Sequence, residues 1–157
     1  MEDKKEFHKL LLENNTFFTE ISHMLAEGHT VTLRAKGNSM FPFITGERDS
    51  VVLQKQKEIY KGDIVLAYIP EKTYVLHRVY RIKDDTVILM GDGNVYAMEK
   101  CSKKDIQGTV LKIMRNGRTV CCNSPTERCK VWFWQLLRPL RRYILAACRQ
   151  WIKWKGK

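Results

Sequence analysis

Tyr74-Val75-Leu76-His77-Arg78-Val79-Tyr80, then Asp84-Asp85, then Thr86-Val87-Ile88-Leu89-Met90-Gly91-Asp92-Gly93-Asn94 is the stretch on which the fold turns. Both apolar runs are β-branched and aromatic, which suits a pleated surface, and the paired aspartates between them supply a short turn. Upstream, residues 31–35, 51–53 and 64–69 read as further strands. Downstream, Asn116-Gly117 joins a run at 109–114 to another at 118–122. Asn-Gly is a strong hairpin signal, because a type I′ turn needs positive φ at both central residues. Short strands with no helices between them predict a compact, mainly β domain and argue against a parallel α/β sheet.

The flanks read as helices. Phe7, Leu10, Leu11, Phe17, Phe18, Ile21, Met24 and Leu25 recur at helical spacing over residues 4–26, and Gly28 stands where such a helix stops. Ser124-Pro125-Thr126-Glu127 has the form of a capping box with proline at the first helical position. Pro139 is expected to break or kink that second helix, leaving a further helical piece over about 140–154. The expected organisation is a β domain with its N-terminal helix over 1–123 and a basic, Trp-rich amphipathic helical tail over 124–157.

Charge is distributed unevenly. Residues 1–30 hold three Lys/Arg against six Asp/Glu, whereas residues 111–157 hold twelve against one. An acidic partner would therefore be met through the C-terminal third. The five cysteines are odd in number, and no apolar leader follows the charged first residues within the first thirty positions. Reduced thiols and a cytoplasmic location are expected. Cys121, Cys122 and Cys129 lack the paired spacing of a zinc site, so neither a metal nor a cofactor is expected.

Three residues carry candidate chemistry. Ser39 lies in Gly37-Asn38-Ser39-Met40 after a strand, with Gly37 permitting an unusual backbone angle and Pro42 stiffening the exit. Such a turn can aim a hydroxyl outward and leave backbone N–H groups for an oxyanion. A serine needs a base, and His77, inside an apolar strand, is of the residue type that titrates near neutrality. Asp92, in Gly91-Asp92-Gly93-Asn94, offers a carboxylate just after a strand. Each residue taken alone reads as an ordinary turn or strand residue.

Together they resemble a family. Gly-Asn-Ser-Met-x-Pro from Gly37, Gly-Asp-Ile-Val from Gly62, His-Arg-Val from His77 and Gly-Asp-x-Asn from Gly91, in that order over about 30–120, are similar to the S24/S26 peptidases. That superfamily contains type I signal peptidases and the self-cleaving repressors related to LexA. The resemblance implies a signal-peptidase/LexA-like β fold and a serine endopeptidase with Ser39 as nucleophile, His77 as general base and Asp92 as the acid orienting it. The Ser39 backbone N–H would be an oxyanion donor. Histidine where most relatives carry lysine resembles the endoplasmic-reticulum, archaeal and sporulation-type signal peptidases. Two departures stand out. Gly37 occupies the place of a hydroxyl residue that serves as second oxyanion donor in many bacterial enzymes. The endoplasmic-reticulum type has a second aspartate shortly after Gly-Asp-Asn, whereas here Val95-Tyr96-Ala97-Met98-Glu99 has none, and Glu99 is a weak substitute.

The span from Trp132 to Trp154 is amphipathic, with Phe133, Leu137, Leu140, Ile144, Ala147, Cys148 and Trp151 on one face and Arg138, Arg142, Arg149 and Lys153 on the other. This pattern suits either packing on the β domain or a helix lying on an anionic membrane surface at the inner face. Nucleic acid is the poorer fit, because the apolar residues form a stripe and are not interleaved with the basic ones. The expected substrate is a peptide or protein precursor. The alternative is an inactive β module that binds a peptide or partner at a membrane.

Overall fold

The computed structural model describes residues 16–70 and 73–155. A first helix, α1, occupies 16–26 of the described chain; the part of the expected helix over 4–15 lies outside the described residues. Eight strands follow: β1 Val31–Arg34, β2 Ser50–Gln54, β3 Ile64–Tyr68, β4 Tyr74–Lys83, β5 Thr86–Met90, β6 Glu99–Ser102, β7 Ile106–Arg115 and β8 Arg118–Cys121. Two helices close the described chain, α2 Pro125–Leu136 and α3 Arg141–Lys155, separated by a 3₁₀ turn over Arg138–Leu140.

The strands form one antiparallel sheet in the order β1-β2-β7-β3-β4-β5-β6, with β8 paired to β7. The mainly β fold flanked by helices is the one the strand pattern predicts. β3 explains the layering. Its Ile64-Val65-Leu66-Ala67 run is buried throughout, so both faces of the sheet are covered. Ile64 and Leu66 enter a core with Ile21 and Leu25 of α1, Val31, Met40, Ile44, Val51, Leu53 and Ile113. Val65 and Ala67 point into a second core with Val79, Val87, Leu89, Cys101 and Ile106.

The turns form as their residues dictate. Asn116 and Gly117 both have positive φ (48° and 74°), and Asp84 has φ 53° between β4 and β5. Ser124 caps α2 by accepting from the Glu127 N–H at 3.4 Å, but the Glu127 carboxylate takes a hydrogen bond from Lys130 at 2.5 Å. Pro139 sits in the 3₁₀ turn that separates the helices.

Sequence patterning did not give β6. Glu-Lys-Cys-Ser is short and mostly polar because β6 is the last strand of the sheet path, where charge guards an open edge. The apolar stripe along the C-terminal segment is also redistributed. The 3₁₀ turn divides it, and the side chains buried against the body are Trp134, Arg141 and Leu145, while Phe133, Leu140 and Trp151 stay exposed. All five cysteines are free thiols.

Candidate active site

His77 and Arg78 are neighbours on β4, so strand alternation sends their side chains to opposite faces. Both are buried. His77 pairs across the sheet with Val65, which belongs to the second core. On that face, β6 carries Glu99 opposite Leu89 and Cys101 opposite Val87. His77 and Glu99 thus form the polar end of an otherwise apolar layer. Their side chains meet, with Nδ1 of His77 2.8 Å from Oε2 of Glu99, and both are about nine-tenths buried. A carboxylate only accepts hydrogen bonds, so Nδ1 carries the proton and Nε2 is left as the basic nitrogen.

Arg78 organises the other face. Its Nε and Nη2 donate to Asp92 at 2.9 and 2.6 Å, and its Nη1 donates to the Gly62 carbonyl at 2.7 Å. The guanidinium also lies 4.9 Å from the centre of the Phe43 ring. The Asp92 carboxylate is therefore held by Arg78, and the acid on His77 is Glu99. The expectation that Asp92 orients His77 does not match this geometry. The physical reason is alternation: an acid that satisfies Arg78 is on the wrong side of the strand for His77.

The Ser39 turn is fixed from two sides. The Gly93 N–H donates to the Ser39 carbonyl at 2.8 Å. A Cβ at Gly91 would overlap that carbonyl oxygen, and one at Gly93 would lie 2.6 Å from the Asn38 carbonyl oxygen. The Gly-Asp-Gly-Asn loop owes its glycines to this close backbone approach. Gly91 follows Met90, the residue paired with Arg78, so the serine turn docks just past the end of β5, the strand that pairs with β4. Ser39 itself is half-buried. Gly37 has φ +71°, and a side chain at Gly46 would strike the Gly37 backbone, so two turns stack back to back behind the serine.

Asp49 locks this loop to the sheet. It is fully buried and accepts from the Thr45 N–H at 2.9 Å, from Arg48 at 2.7 Å and from Arg115 of β7 at 3.0 Å. Arg115 also donates to the Phe43 carbonyl at 2.5 Å. Burial pushes the Asp49 carboxyl up, but the bonds from Arg48, Arg115 and Thr45 outweigh it and hold the group well below the usual carboxylate range. Asp63 closes the turn before β3, where it accepts from the Tyr60 N–H at 2.8 Å.

The C-terminal helices buttress the same loop. Trp134 Nε1 donates to the Asp92 carbonyl at 3.2 Å, and Arg141 donates to the Asn94 carbonyl at 3.3 Å. Phe43 and Trp134 meet edge to face at 6.2 Å. Nothing in the basic, Trp-rich tail marked these two residues out from their neighbours.

This antiparallel β domain docks a serine turn on a glycine loop and buries a histidine–carboxylate pair between β4 and β6. The model of the Peptidase S24-like family matches residues 6–111, and the chain belongs to that family. "LexA repressor 1" of Nocardia farcinica (strain IFM 10152) is 30% identical over 108 residues, covering 68% of this chain and 49% of that protein. The chain thus spans about half the length of this curated relative.

Proposed function

We propose that the chain is a serine endopeptidase in which Ser39 is the nucleophile, His77 the general base and Glu99 the residue that positions His77. The buried 2.8 Å contact between Nδ1 of His77 and Oε2 of Glu99 carries this reading. It sets the tautomer that general-base catalysis needs and stabilises the imidazolium that forms. Ser39 Oγ gives its proton to Nε2 and attacks the substrate carbonyl. The tetrahedral oxyanion is received by the Ser39 backbone N–H. His77 then returns the proton to the leaving amine, and water hydrolyses the acyl-enzyme by the same route. The substrate is a peptide or protein segment bound in extended form.

A fluorophosphonate probe tests this on the intact protein. Labelling should map to Ser39 and be lost in Ser39→Ala. It should fall by at least ~10²-fold in rate in His77→Gln, which keeps an N–H for the Glu99 carboxylate. Equal labelling of the wild type and Ser39→Ala would overturn the assignment. Incubating the purified protein and looking for a fragment of itself separates self-cleavage from cleavage of another chain.

A further inference from the structure

We propose that the outer face of α3 docks this protein on an anionic lipid surface, with the helix lying flat among the headgroups. The inference does not depend on the peptidase reading.

Successive residues of a helix step by about 100°, which divides α3 into three faces. Arg141 and Leu145, 3% and 2% exposed, with the half-buried Ile144 and Cys148, form the inner face against the body. Arg142 and Arg149 share a second, exposed face. Tyr143, Trp151 and Trp154 are 69%, 58% and 80% exposed, and with Ala147 they fall within about 80° of arc on a third. The body has taken the inner face, and the aromatic one stays open to solvent.

Its chemistry points to a bilayer. All four tryptophans of the chain lie between residues 132 and 154, and three of them are exposed. α2 and the 3₁₀ turn add exposed Trp132, Leu136 and Leu140. Residues 124–157 hold nine Lys/Arg against one Glu. Indole rings favour the membrane interface and arginines favour anionic headgroups, and a helix that presents the two on adjacent faces meets both layers at once. Among the described residues no helix is long and apolar enough to cross a membrane, so the helix would lie on the surface. Nucleic acid would want the aromatic and basic residues interleaved, and here the two faces are centred about 150° apart. A second copy of the chain would bring two strongly basic segments together.

The test uses the full chain with vesicles of phosphatidylcholine alone and of phosphatidylcholine mixed with phosphatidylglycerol. Co-sedimentation and a blue shift of tryptophan emission should appear only with the anionic vesicles and weaken as salt is raised. Trp151→Ser combined with Trp154→Ser should weaken binding roughly tenfold or more at an unchanged melting temperature. Arg142→Ala combined with Arg149→Ala should remove most of the preference for phosphatidylglycerol. Any of three results would overturn the proposal: no binding or equal binding to the two vesicles, full binding by the tryptophan variant, or no vesicle binding together with a Trp-dependent oligonucleotide complex or dimer.

Discussion

His77 and Arg78 stand side by side on one strand, and each is buried with its own acid, Glu99 on one face and Asp92 on the other. The two acids therefore do different work, and substitution should separate them. Glu99→Gln keeps the shape of the side chain but can present an amide N–H to Nδ1. It should lower the rate of Ser39 acylation by ~10²–10⁴-fold with little change in melting temperature. Asp92→Ala leaves a buried guanidinium without its partner and should cost about 3–5 kcal/mol of stability. Denaturant melts and probe kinetics on both variants check this. A loss of acylation confined to Asp92→Ala, with Glu99→Gln unaffected, would restore Asp92 as the positioning acid. The family was legible because ordered motifs around Ser39 and His77 carried the resemblance. Glu99 was read only as a weak substitute for a missing aspartate, because four residues of mostly polar sequence do not announce an edge strand. The signal that could have found it is the adjacency of His77 and Arg78, since alternation sends the two to opposite faces and one acid cannot serve both.

At the level of elements, the β-rich runs and the Asn116-Gly117 turn were readable because local preference and tertiary position agree there. What escaped was the fastening of loops to strands, which depends on partners far away in sequence. Asp49 and Arg115, 66 residues apart, are the clearest case. The folded protein holds the Asp49 carboxyl below its unfolded value. The unfolded chain therefore binds more protons in acid, and stability must fall as pH drops. The Asp49 contribution is fully present above about pH 4, the unfolded value, and is lost as pH descends toward the folded one. Asp49→Asn should be less stable than wild type at pH 7 by about 2 kcal/mol, a discounted figure because both guanidinium partners keep contact with solvent. The gap should narrow steadily below pH 4 in denaturant melts. A constant gap across that range would contradict the clamp.

For the molecule as a whole, the C-terminal helices fasten to the loop that holds the serine turn. Trp134 and Arg141 bond the carbonyls of Asp92 and Asn94, and the Ser39 carbonyl bonds Gly93 between them. The amphipathic pattern in the sequence announced helices with an apolar stripe. It did not say which residues would face inward, because the 3₁₀ turn at Pro139 resets the phase between α2 and α3. Removing residues 124–157 should leave a β body that folds but melts lower, by on the order of 10 °C, because the Trp134 and Arg141 contacts go with them. Calorimetry on the truncated chain measures this; an unchanged melt would mean that the helices do not brace the loop.

β7 pairs with β2, β3 and β8, which makes it the strand through which the two halves of the sheet are joined. The family match ends at residue 111, partway along it. The matched segment and the folded domain thus have different borders on this chain. A fragment trimmed to the inherited segment would be severed along its own seam, with Ile113 missing from the first core and Arg115 from Asp49. The smallest piece that can fold as this domain does must keep the whole of β7, beyond the point where the family match stops.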